Sequence, residues 1–181
     1  TKMNAENLIK KNKNIKNIIL RFFNVCSALN KPIIGELHNP ETHLIPTVTY
    51  KSLKKKKIYI YGKNFKTIDG TCVRDYVHVM DLADAHIKAL NYASQNPVAE
   101  VFNLGSGAPA SNKELLDAVQ KHTGKMNISI EPNRPGDPAY LVADITKATK
   151  ILDWEPTQSS IDNVVATAVK WYNKTHKKEI Q

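Results

Sequence analysis

Hydrophobic positions along this chain switch between a helical period and a strand period, and the switches mark out the elements. At the start, Met3, Ala5, Leu8 and Ile9 recur at helical spacing with no capping residue ahead of them, so the chain is expected to begin inside a helix. The polar stretch 10–17 ends that helix. Residues 17–25, Asn-Ile-Ile-Leu-Arg-Phe-Phe-Asn-Val, are β-branched and aromatic and apolar on both faces, the pattern of a buried strand in a parallel sheet. A helix followed by such a strand predicts an α/β fold. Residues 30–41, with Pro32, Gly35 and Pro40, read as a loop. Pro46 suits the first turn of a helix running to about Leu53, although Thr47, Val48 and Thr49 are weak helix formers. Residues 58–61 form a strand stopped by Gly62, and 73–77 form another.

The second half is more strongly punctuated. Residues 81–93 predict a helix with Leu82, Ala85, Ala89 and Leu90 on one face and Asp81 and Asp84 near its positive end. Residues 100–104 are a strand running into Gly105-Ser106-Gly107. Ser111-Asn112-Lys113-Glu114 is a capping box, with Leu115, Leu116 and Val119 behind it and Gly124 as the stop. A strand at Asn127–Glu131, a loop over 133–138 and a short helix at Thr146–Leu152 follow. Ser160 caps a last helix with Ile161, Val164, Val165, Ala168 and Trp171 or Tyr172 on one face, and the charged tail after Asn173 is expected to fray. There is no internal repeat and no linker long enough to divide the chain.

At 181 residues and 41% hydrophobic composition the chain can bury one sizeable core. No apolar run reaches the length of a membrane span and the N-terminus lacks a secretory signal, so a cytoplasmic protein is expected, with Cys26 and Cys72 as free, buried thiols. The net charge of +9 raises the possibility of a nucleic-acid or membrane partner. Only three of the 26 basic residues are arginines, however, and the lysines gather in runs such as 54–57 and 174–178 without interleaved aromatics. Neither partner is expected, although a positive field favours a phosphorylated small molecule.

Candidate chemistry lies at four places. In residues 69–85, Asp-Gly-Thr-Cys-Val-Arg-Asp-Tyr-Val-His-Val-Met-Asp-Leu-Ala-Asp-Ala, Arg74 is suited to grip a phosphate through parallel N–H donors, the alternative being a structural ion pair with a carboxylate such as Asp75. In Arg134-Pro135-Gly136-Asp137 a fixed loop offers a charge for a diphosphate and a carboxylate for a ribose diol, the alternative being an ordinary turn whose Asp137 bonds its own backbone. Phe22-Phe23-Asn24 ends the first strand, where a parallel α/β sheet places its ligand crevice. Tyr59 and Tyr61 end another strand, where Tyr61 can lie against a planar base. Gly105-Ser106-Gly107 lacks the third glycine and the later acidic residue of a dinucleotide fingerprint and reads as a turn. The six histidines show no trusted ligand spacing, so no metal is expected.

Taken in this order, the four sites resemble the C-terminal half of the UDP-glucose 4-epimerases, members of the extended short-chain dehydrogenase/reductase superfamily. The resemblance also rests on Glu41-Thr42-His43-Leu44-Ile45-Pro46, on Phe102 through Gly107 and on Ala143-Asp144, and it spans nearly all of the chain. It implies a Rossmann-type fold in which residues 1–26 end the dinucleotide-binding domain. Residues 27–181 would be mainly a substrate-binding region, with a strand and helix returning to the main sheet.

What the resemblance implies chemically is inversion at C4 of a UDP-hexose, with hydride transfer to and from NAD and a 4-keto intermediate. Lys2 matches the lysine of the family's Tyr-x-x-x-Lys motif, whose tyrosine would lie three residues before Thr1. The chain is therefore expected to be an inactive fragment of a larger enzyme, homodimerisation being possible for the full-length form. By the same resemblance Lys2 and Phe22 serve the cofactor. Phe23, Asn24, His43, Leu44, Tyr59 and Tyr61 line the UDP-sugar site, Arg74 and Arg134 hold the diphosphate and Asp137 the uridine ribose. Leu141 falls where members vary the wall beside the sugar, and a leucine there implies tolerance of UDP-N-acetylhexosamines. Two other readings stand beside this one: another nucleotide-sugar dehydratase or reductase, and a non-catalytic nucleotide-sugar-binding module.

Overall fold

The computed structural model describes residues 1–12, 14–31, 33–96 and 99–176. Helix α1 (Lys2–Lys11) leads into strand β1 (Asn17–Phe22) and three short strands, β2 (Asn24–Cys26), β3 (Ala28–Asn30) and β4 (Ile33–Gly35). Then come α2 (Leu44–Leu53), β5 (Lys57–Tyr61), β6 (Val73–Arg74), β7 (Tyr76–His78) and the long α3 (Val79–Gln95). After these lie β8 (Ala99–Leu104), β9 (Ala110–Ser111), α4 (Asn112–Thr123), β10 (Asn127–Glu131), β11 (Tyr140–Leu141), α5 (Thr146–Leu152) and α6 (Ile161–Thr175).

The α/β expectation holds, because the strands pair mainly in parallel. β1 runs beside β8 from Asn17↔Ala99 to Phe22↔Leu104, β2 beside β7, and β5 beside β10. β6 lies between parallel β11 and antiparallel β9, and β3 with β4 makes an antiparallel hairpin. Two apolar clusters result. One joins α2, α4 and α6 to β5 through Val48, Ile58, Leu115, Val119, Val164 and Val165. The other joins α3 and α5 to β1 and β8 around Phe102, Leu104 and Trp154, whose indole N–H donates to the Asp81 carbonyl at 2.9 Å.

Several elements depart from the sequence reading. The predicted loop over 30–41 contains β4, because Ile33 and Ile34 pair back onto Leu29 and Asn30; Pro32 itself lies outside the described residues. The single strand expected over 73–77 is two, divided at Asp75, whose side chain is fully buried and bonded elsewhere. β1 is half-buried rather than covered on both faces, since β8 is its one partner among the described residues and Arg21 turns outward to pair with Glu6 of α1 at 2.5 Å. α1 buries none of its residues, and Leu90 on α3 is exposed, the buried face being Leu82, Ala85 and Ala89 with Asp81. α6 continues two residues past Asn173; the expectation for residues 177–181 lies outside the described residues.

Candidate functional site

Chain direction changes partner at one point, and that point opens the site. The Phe23 N–H still bonds to the carbonyl of Leu104 at 3.0 Å, but the Asn24 N–H bonds to that of Asp75 at 3.1 Å, so the strand leaves β8 and joins β7 between these two residues. The Asn24 amide adds a second bond to the same Asp75 carbonyl at 2.7 Å. In the crevice beside this step lies a cavity of about 970 Å³. Phe23 and Asn24 form part of its wall, His43 and Leu44 enter from the start of α2, and Tyr59 and Tyr61 from β5. Arg74 from β6 and Arg134 and Asp137 from the loop before β11 complete the set. Nine of the twelve residues singled out in the sequence thus share one cavity. Leu141 does not line it, although it pairs with Arg74 across β11 and β6. Lys2 at the start of α1 and the half-exposed Phe22, whose ring lies 6.1 Å from that of His86, are also outside it.

The two arginines are held differently. Arg74 donates from Nη1 to the carbonyls of Val73 at 2.9 Å and Pro138 at 2.8 Å, which ties the 134–138 loop to β6. The guanidinium of Arg134 lies over the face of Tyr61, 3.8 Å from the ring centre, a cation–π contact. Two planar cations therefore line one cavity. The loop's turn is closed by the Asp137 backbone N–H on the Arg134 carbonyl at 3.4 Å, with Gly136 at φ +84°. A turn, the alternative reading of this loop, is therefore present, with the Asp137 backbone N–H as its donor.

Arg74 does not pair with Asp75, and the reason is architectural. The Asp75 carboxylate points inward, accepting the Ser106 N–H at 2.5 Å, the Ser106 hydroxyl at 2.7 Å and the Ala143 N–H at 3.1 Å. Three donors on a buried anion make a strong, directional tie, because such charge-assisted bonds are shorter and stronger than neutral ones. Gly105 is required here by close approach: a Cβ would stand 2.3 Å from the Asp75 carboxylate. Gly107, at φ +67°, supplies the left-handed turn. Asp81 plays a similar part, accepting the N–H groups of Thr157 and Gln158 and, at 2.5 Å, the Ser159 hydroxyl. Asp75 and Asp81 of the 69–85 motif thus serve as scaffold.

Sequence reasoning missed Glu36, Cys26, Cys72, Val79, Met80 and Asn112, which also line the cavity. The apolar pair Val79 and Met80, inside the 69–85 motif, was a usable signal; the others carry none. Both cysteines are free and buried, as expected, and burial pushes the Cys26 thiol up to about 12, so it lines the wall as an uncharged, unreactive group. Four lysines lie 5.3–5.9 Å from Tyr50 or Tyr59, so the 54–57 run is not free of aromatic neighbours. Among the described residues no helix is long and apolar enough to cross a membrane.

A parallel α/β arrangement with its cavity at a strand switch is part of a Rossmann-type short-chain dehydrogenase/reductase fold, and solved structures share it closely. A crystal structure of UDP-glucose 4-epimerase superposes with a TM-score of 0.88 at 38% identity, covering 96% of this chain and 53% of that one. The Bifidobacterium longum UDP-glucose 4-epimerase, solved with NAD+ and UDP, gives 0.86 at 31% identity over 96% and 52%. The chain belongs to the NAD dependent epimerase/dehydratase family, whose model matches residues 1–105. The UDP-glucose 4-epimerase of Lactobacillus helveticus is 45% identical over 183 aligned positions, covering 98% of this chain and 55% of that protein. The chain spans about half the length of the curated relatives it matches.

Proposed function

We propose that this chain is the substrate-binding half of a UDP-hexose 4-epimerase that interconverts the glucose and galactose forms. The observation that carries the reading is the convergence of Arg74 and Arg134, two of only three arginines, on one cavity that also holds Tyr61 and Asp137. A diphosphate carries two negative charges on adjacent groups, and two forked cations can meet each with paired N–H donors. Asp137 accepts from a ribose diol and Tyr61 offers a flat surface to the base. Phe23, Asn24, His43, Leu44 and Tyr59 then surround the sugar and nucleotide, and Leu141, paired with Arg74 across β11 and β6, would set the wall beside the sugar. The relatives' names and the UDP in a solved neighbour support this assignment.

In the same reading residues 1–26 end the dinucleotide-binding domain and 27–181 are mainly substrate-binding, with β8 and α3 returning to the main sheet. The family and neighbours solved with NAD favour that cofactor. This chain's residues fit one side of it: Phe22 presents a half-exposed ring at the carboxyl end of β1, and Lys2 an exposed amine at the start of α1. NAD, when bound, accepts and returns a hydride. Phe22 would flank its ring, and Lys2 would favour the anionic form of a neighbouring proton-accepting group by its charge.

Titration of UDP into the chain tests the site. Saturable binding that is displaced by UDP-glucose and UDP-galactose alike, and lost in Arg134→Ala, is expected; no binding of UDP by folded chain overturns the assignment. Joined to the complementary segment of the Lactobacillus helveticus relative, the chain is expected to interconvert UDP-glucose and UDP-galactose. A folded chimera that binds UDP but leaves UDP-galactose unchanged overturns the reaction.

A further inference from the structure

Between β4 and α2 the chain gathers Glu36, His38, Glu41 and His43, and each offers a ligand atom within 4.8 Å of all the others. The His43 Nδ1 lies 3.0 Å from the nearer oxygen of Glu41 and 3.5 Å from that of Glu36, while the His38 Nδ1 lies 3.9 Å from Glu41. Two imidazoles and two carboxylates at such spacing are a mixed nitrogen and oxygen donor set. Ligands held at 2.0–2.2 Å around a tetrahedral ion stand about 3.4 Å apart, inside the range of these separations. Glu41 carries a second, independent sign: its Oε2 is buried and has no hydrogen-bond partner. A carboxylate oxygen withdrawn from water in this way gains from a cation that can take both of its oxygens.

We propose that this cluster is a binding site for a divalent transition-metal ion of the zinc class at the rim of the cavity. The pair of imidazoles selects such an ion over magnesium or calcium, which take oxygen ligands. The two carboxylates balance its charge, which the positive end of α2 would otherwise disfavour, His43 being that helix's N-cap residue. Glu36 and His43 also line the cavity, so the ion would pin the connection that forms one of its walls. The histidine spacing alone, five positions from His38 to His43, gave no such signal.

The test is equilibrium dialysis of zinc against the untagged 181-residue chain after chelator treatment, with UDP binding measured separately. One equivalent of zinc at micromolar free concentration, undisturbed by millimolar magnesium or calcium, is expected. His38→Asn and Glu36→Gln, at half-exposed positions where folding is not at stake, are each expected to weaken it at least tenfold, and His122→Asn to leave it unchanged. Cobalt in place of zinc should give a visible absorption band that His38→Asn removes. Less than one equivalent, or stoichiometric zinc that persists in both His38→Asn and Glu36→Gln, overturns the proposal; either result leaves the UDP assignment standing.

Discussion

The guanidinium of Arg134 is stacked on the ring of Tyr61, 3.8 Å from its centre, although 73 positions of sequence separate them. Arg134 stands on an exposed loop that is tied to β6 by the bond from Arg74 to Pro138, and the ring sets where this cation points. Removing the ring with Tyr61→Leu is expected to weaken UDP binding about fivefold, the equivalent of about 1 kcal/mol for a cation–π contact of this exposure. Tyr61→Phe keeps the face and should bind as the parent does. Calorimetric titration of the three proteins with UDP decides it, and equal affinity in all three removes the ring from the site.

Asp75 and Asp84 make opposite predictions from nearby positions. Asp75 is fully buried and accepts three hydrogen bonds, whereas the Asp84 side chain is half-exposed on α3. Asp75→Asn turns an N–H₂ toward donors and is expected to cost on the order of 3 kcal/mol, visible as a lower urea midpoint. Asp84→Asn should stay within about 0.5 kcal/mol of the parent. Similar midpoints for the two variants would mean that the buried carboxylate does not hold the turn at 105–107.

His78 gives the chain a pH-dependent weakness near neutrality. Its Nδ1 accepts the Met80 N–H at 3.1 Å, so in the neutral ring the proton sits on Nε2 and donates to the Thr167 hydroxyl at 3.1 Å, which in turn donates to the Asn163 carbonyl at 3.0 Å. Burial holds the folded-state pKa below 6.5, opposed by the charge of Asp81. The unfolded chain therefore takes up a proton first as pH falls. Full stability is present above about pH 6.5 and is lost as pH falls through the folded pKa. Urea midpoints measured between pH 8 and pH 5.5 should decline, and His78→Asn should flatten that decline.

Asp69 acts at lower pH with the same sign. Burial raises its pKa, but hydrogen bonds from Ser111 and from the Thr71 N–H and hydroxyl outweigh that and hold the carboxyl below 3.8. Its contribution is present above about pH 4 and disappears as pH falls through the folded value. Because Ser111 also caps α4, by accepting the Glu114 N–H at 3.1 Å, Asp69→Asn is expected to shift the acid midpoint upward and to loosen the start of that helix. Amide exchange at residues 112–115 reads the second effect directly.

How much of this was legible follows from where the information is local. The box Ser111-Asn112-Lys113-Glu114 contains its own hydrogen-bond partners, and α4 runs from Asn112 to Thr123 as the spacing requires. Asn127–Glu131 and Thr146–Leu152 were likewise readable from short patterns between breakers. The hairpin of β3 and β4 was hidden because Pro32 and Gly35 look like loop residues, while what makes it a hairpin is the pairing of Ile33 and Ile34 with residues across the turn. The same holds at the site. Residue type marked Arg74, Arg134 and Asp137, yet nothing in the order of residues says that Asp75 faces inward to Ser106 or that Arg134 reaches Tyr61. Those relations depend on where distant segments pack, which a local pattern does not encode.

Leu141 pairs with Arg74 across β11 and β6, while its side chain stands outside the cavity lining. A larger ring at this position can act in two ways, by narrowing the space for the sugar or by shifting the backbone that carries Arg74. The two separate experimentally. In the chimeric enzyme, Leu141→Tyr that lowers turnover of UDP-N-acetylglucosamine at least tenfold relative to UDP-glucose, with UDP affinity unchanged, shows a wall effect. Equal losses for both substrates together with weaker UDP binding show that the substitution acts through Arg74. The proposed tolerance of N-acetylhexosamines requires the first result, and an unchanged ratio of the two activities removes Leu141 from substrate selection.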